Sequence, residues 1–101
     1  MAIKMRILQT YAVAYEKEFL ALEKKFAALE TRYRNFPRGV RYKPLAGAQP
    51  TNTLIWECDF PTLDAARAAL EFFAGNVHHE ALARQQRKYF KEVRIEFLER
   101  F

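Results

Sequence analysis

Between Glu16 and Pro37 the apolar residues Phe19, Leu22, Phe26, Leu29, Tyr33 and Phe36 recur at intervals of three, four, three, four and three. That period sets all six on one stripe of an α-helix. Glu16 and Glu18 fall in the first turn and Arg32 and Arg34 in the last, each where the helix dipole favours its sign. Asn35 and Pro37 close the run. Upstream, Met5 to Tyr15 has the period of a strand, with Ile7, Tyr11 and Val13 pointing one way and Leu8, Ala12 and Ala14 the other. A strand that is apolar on both sides is ordinarily covered on both.

Gly39 leads into Val40-Arg41-Tyr42-Lys43, a short strand stopped by Pro44, which cannot donate to a ladder. A third strand, Thr53–Phe60, sets Leu54, Trp56, Cys58 and Phe60 on one face and Thr53, Ile55, Glu57 and Asp59 on the other. Pro61-Thr62 ends it, and Thr62 is the natural N-cap of a second helix with Leu63, Ala66, Leu70 and Phe73 inward. Gly75, free to take positive φ, and Asn76, a capping residue, should break that helix into a further one from Val77 to Phe90. Val93, Ile95 and Phe97 alternating with Arg94, Glu96 and Leu98 form a closing strand.

The chain is thus two strand-helix-strand passages, Lys4–Leu45 and Thr53–Phe101, joined by the loop over residues 46–52. Together they predict one α+β domain over residues 1–101. The architecture is a ferredoxin-like split βαβ (βαββαβ), with a four-stranded antiparallel sheet and both helices on one face. The other face is left open. With apolar strand sides turned to the helices, the open face gathers Arg6, Arg41, Lys43, Arg94, Glu57, Asp59, Glu92 and Glu96. Opposite charges on neighbouring strands can pair, so a second copy of the chain can cover this face without isolating a charge.

Composition narrows the function classes. With 101 residues, half of them apolar, nine Phe and five Tyr, the chain has enough for one packed core. The net charge of +5 is spread along the chain and interleaved with acids, which argues against nucleic-acid binding. The segment from Arg84 to Lys91 is the one dense basic stretch, and the dipole at a helix C-terminus accounts for it. No signal-peptide h-region or membrane span is visible, and a single cysteine, Cys58, permits no internal disulfide, so the cytoplasm is the expected compartment. Serine is absent, which removes serine-nucleophile chemistry. No glycine-rich phosphate loop, metal-ligand spacing or paired-carboxylate arrangement is visible, so no cofactor and no metal are expected.

Three segments carry a resemblance. Met5-Arg6-Ile7-Leu8-Gln9-Thr10-Tyr11 is similar to the first strand of the dimeric α+β barrel superfamily, and within it of the NIPSNAP-like and antibiotic-biosynthesis-monooxygenase-like domains. Thr53–Phe60 followed by Thr62-Leu63-Asp64-Ala65-Ala66-Arg67 resembles their strand-to-helix passage, and Gly75-Asn76-Val77-His78-His79 falls where such domains break the second helix. The resemblance implies a homodimer joined through the open sheet face. The aromatic excess beyond what one helix stripe requires predicts a small apolar or aromatic ligand; the resemblance offers cofactor-independent monooxygenase or lyase chemistry as an alternative, and a purely structural or interaction role is the other. Its haem-degrading members use Asn, Trp and His, but the first strand here offers Gln9 and no asparagine, so that site is not carried over.

The candidate site residues follow from these elements. Tyr11, Trp56 and Phe73 are the aromatics expected at a cleft between sheet and helices, where ligands commonly bind. His78 and His79 are the expected proton carriers, since histidine alone titrates near neutrality unshifted. Neighbours on a helix point about 100° apart, so the two do not readily share a metal.

Overall fold

The structure, a computed structural model, describes residues 2–101. Its strands are β1 (Ile3–Tyr11), β2 (Val40–Tyr42), β3 (Thr53–Phe60) and β4 (Phe90–Glu99). Its helices are α1 (Glu16–Arg32), α2 (Leu63–Gly75) and α3 (Val77–Gln86). The strands form one antiparallel sheet in the order β2-β3-β1-β4, the ferredoxin-like arrangement. In register, Ile7 stands between Trp56 and Ile95, and Arg6 between Glu57 and Glu96. Ile7 and its odd-numbered neighbours face the helices, while Lys4, Arg6, Leu8 and Thr10 face the open side. α1 packs on α3, and α2 on β3 and β1. The core runs from Met5, Phe36, Trp56, Ala66, Ala69 and Phe73 to a second cluster of Tyr11, Phe19 and Leu54.

Several boundaries differ from the sequence pattern, each for a local reason. β1 ends at Tyr11 and not Tyr15, because the chain turns there through a short 3-10 segment closed by Tyr15 N–H donating to Ala12 O at 2.9 Å. α1 ends at Arg32, with Tyr33 extended at φ −115, ψ 125. In a continued helix the Pro37 ring would clash with the Tyr33 carbonyl one turn earlier. Phe36 nevertheless stays in the core, carried there by the turn. The break between α2 and α3 belongs to Asn76 alone: Gly75 does not have positive φ, while Asn76 is extended at φ −89, ψ 124 and its Oδ1 accepts from the N–H groups of His78 and His79. α3 stops at Gln86, and after a 3-10 turn β4 begins already at Phe90. On α2, Ala69 joins Ala66 and Phe73 on the buried face, while Leu63, read from the pattern as inward, is exposed.

β2 is turned over relative to expectation. Arg41 pairs in register with Trp56 and so faces the helices, with Lys43 on the same side reaching Glu16 at 2.7 Å. Val40 and Tyr42, 55% and 52% exposed, occupy the open face instead. Leu8 on the open face is only 2% exposed within a single chain. Arg94, its neighbour in register, is held by Gln49 of the 46–52 loop at 2.7 Å, so part of the two-sided cover of β1 comes from the chain itself.

Candidate functional site

Trp56 points from the middle of β3 toward the helices, and its indole lies where the backbone of Gly39 passes. A Cβ at position 39 would stand 2.0 Å from Trp56 Cε2, so glycine is the residue that leaves room for the ring. The indole N–H donates to Glu30 Oε1 at 3.2 Å, and Phe73 meets the ring edge-on with centroids 5.8 Å apart.

Glu30 belongs to a buried polar cluster. Phe19, Glu23, Phe26 and Glu30 are spaced four, three and four along α1, so the two acids share its inner face with the two rings. Arg41 reaches them from β2: Nε donates to Glu23 Oε2 at 2.8 Å and Nη1 to Glu30 Oε1 at 3.2 Å, while Nη2 takes Glu30 Oε2. Gln86, 1% exposed at the end of α3, donates from Nε2 to Glu23 Oε1 at 2.8 Å. Burial works against the charge of Arg41, but its hydrogen bonds to Glu30 and Glu23 outweigh it and hold the pKa above the ordinary value. A paired-carboxylate arrangement is therefore present, contrary to expectation. Its signal in the sequence is that four-three-four spacing, masked by Lys24 and Lys25 beside Glu23.

The Asn76 cap sets the two histidines apart. His78 is exposed and stacks on Tyr33, centroids 5.4 Å apart. His79 turns inward, parallel to Phe73 at 4.8 Å and tilted against Phe26 at 4.9 Å. Burial lowers its pKa, with Glu30 and Glu80 opposing that shift. Among the described residues, neither ring nitrogen of His79 is hydrogen-bonded to the protein.

These groups line a half-open cavity of about 310 Å³ between the sheet and the helices. Phe26, Trp56 and Phe73 form aromatic walls, Ile7 and Val93 an apolar floor, and Glu23, Glu30, Arg41 and Gln86 the polar lining, with His79 beside them. Of the aromatics named from sequence, Trp56 and Phe73 line this space and Tyr11 does not. Tyr11 is fully buried in the second cluster, stacked on Phe19 at 4.5 Å, and its hydroxyl donates to Glu16 Oε1 at 2.6 Å. Burial, then that bond, raises its pKa. Of the histidines, His79 lines the cavity and His78 does not.

Among the described residues, no group of three or more His, Cys, Asp or Glu side chains is arranged to hold a metal ion. Cys58 lies outside the cavity lining, and burial, then Asp59, raises its thiol pKa, which keeps it a poor nucleophile. No described helix is long and apolar enough to cross a membrane.

The fold has close counterparts among solved structures. A NIPSNAP family protein from Agrobacterium tumefaciens superposes with a TM-score of 0.82 at 13% identity, over 100% of this chain and 94% of that one. An uncharacterized NIPSNAP domain protein from Burkholderia xenovorans gives 0.78 at 16% identity, over 100% and 95%. An antibiotic biosynthesis monooxygenase gives 0.72 at 12% identity, over 98% of each chain. The fold is thus the one shared by NIPSNAP and antibiotic-biosynthesis-monooxygenase-like domains, and at these identities the likeness speaks for fold alone. No protein-family model and no curated protein matches the sequence.

Proposed function

We propose that this domain binds a small, largely apolar or aromatic molecule in the cavity between sheet and helices, and that it works as a homodimer joined through the open sheet face in the cytoplasm. The cavity carries the reading: its volume lies at the lower end of ligand-pocket sizes, its walls are aromatic, and its polar groups are gathered in one buried cluster. Filling the space is the direct test. A thermal-shift screen of aromatic compounds on the wild type and on Ala83→Trp, which plants an indole on the lining, should give stabilising compounds for the former that fail on the latter. Compounds that stabilise both proteins equally would place their binding elsewhere. A screen with no stabilising compound would favour the non-enzymatic interaction domain.

One observation favours a second, enzymatic reading. His79 lines the cavity with free ring nitrogens and a pKa lowered by burial, which suits a proton acceptor. Together with the monooxygenase of similar fold, this supports cofactor-independent oxygenase or lyase chemistry in which His79 takes a proton from the bound molecule. Turnover of a compound from the screen that survived His79→Gln would remove His79 from that role.

A further inference from the structure

The polar lining of the cavity has an unbalanced charge. Glu23 and Glu30 together accept five hydrogen bonds, from Arg41 Nε, Nη1 and Nη2, Trp56 Nε1 and Gln86 Nε2. Every partner is a donor, which suits two ionised carboxylates and offers no acceptor to a protonated one. Against these two negative charges stands the single positive charge of Arg41. At the mouth, Glu80 and Arg87 pair with each other at 2.7 Å and cancel. His79, held toward its neutral form, adds no cation. One negative charge is left over beside three aromatic walls.

Among the described residues an incoming anion finds no free cation inside. All three guanidinium nitrogens of Arg41 already face Glu23 or Glu30, so the fork that would grip a carboxylate is occupied. An incoming cation meets the surplus carboxylate charge and the aromatic lining of Phe26, Trp56 and Phe73, which is kinder to a cation than to an anion. We propose that the cavity selects an organic ammonium group carried on an apolar or aromatic body, over the neutral or anionic molecule of the same shape. This rests on the cavity being a binding site, as proposed above.

Three probes of one shape separate the two claims: 2-phenylethylamine, 2-phenylethanol and phenylacetate, titrated at pH 7.5 against Trp56 fluorescence and melting temperature. The expected result is an amine at least about tenfold tighter than the alcohol, equivalent to about 1.4 kcal/mol, with phenylacetate weaker still. Glu23→Gln keeps the side-chain size and removes the surplus charge, and should bring amine and alcohol within about twofold of each other. An alcohol as tight as the amine in the wild type, or a tighter phenylacetate, overturns the charge selection and leaves the cavity reading standing. No binding of any probe, or amine binding unchanged in Ala83→Trp, overturns both. The wild-type comparison needs no variant, so the selection stays testable if Glu23→Gln folds poorly.

Discussion

The position of the Trp56 ring depends on the missing side chain at Gly39. Gly39→Ala sets a methyl group inside the indole, so the backbone at position 39 or the ring must shift, and a shifted ring strains the Trp56–Glu30 bond. The variant should lose about 1–3 kcal/mol in urea unfolding, as overpacked sites do, and shift the emission of the single tryptophan. Arg41 is held more tightly still. Arg41→Ala leaves Glu23 and Glu30 buried without their cation and should cost about 3–5 kcal/mol at neutral pH, whereas Arg41→Met combined with Glu23→Leu and Glu30→Leu should recover most of it. A single variant as stable as the wild type would show the cluster to be hydrated and not buried. His79 gives a pH signature. Its folded pKa lies below the ordinary 6.5, so the unfolded chain binds the proton more readily. Its contribution to stability is present above about pH 6.5 and is lost as pH falls through the folded value. Melting curves from pH 7.5 to 5 should show a smaller decline for His79→Gln than for the wild type.

Among the elements, β3 and its exit were legible because the signals were local. Thr53–Phe60 alternates cleanly, and Thr62 caps α2 by accepting from Ala65 N–H at 3.1 Å. Asn76 caps α3 through two N–H groups, so Asn76→Ala should cost about 1 kcal/mol and turn His79 away from Phe73, which hydrogen exchange in α3 and the His79 ring signals would both report. What the pattern could not show was the face of β2. In Val40-Arg41-Tyr42 the apolar residues argue for the inward side, and burial of Arg41 becomes favourable only once two carboxylates from α1 wait there. That knowledge sits in another element. The same gap hid the cavity's polar lining, while Trp56, Phe73 and His79 could be named because aromatic and imidazole chemistry is visible one residue at a time.

For the whole molecule the open sheet face is where the proposed homodimer is tested. It presents Val40, Tyr42 and Leu98 beside a ladder of alternating charges, in which Lys4 reaches Asp59 at 3.2 Å and Arg6 holds Glu57. An isologous contact lets such a mixed face meet its own complement. Light scattering at micromolar concentration should return twice the chain mass, and Tyr42→Lys with Val40→Lys should shift the protein toward monomer. A wild type that scatters as a monomer would leave the open face to solvent. The proposed contact is bounded by the 46–52 loop, where Gln49 already holds Arg94, the register neighbour of Leu8.

The order β2-β3-β1-β4 also governs how the molecule comes into being. The earliest strand lies in the interior of the sheet, between partners that arrive later in the chain. As the polypeptide emerges from a ribosome, β1 waits for β3, and its second flank stays bare until Phe90–Glu99 follows. Pairing across such sequence separation is slow, and a bare flank recruits whatever strand is near. β4 therefore acts as a latch: a chain interrupted before it would carry a complete cavity lining apart from Phe90 and Val93, yet leave the central strand open to a stranger.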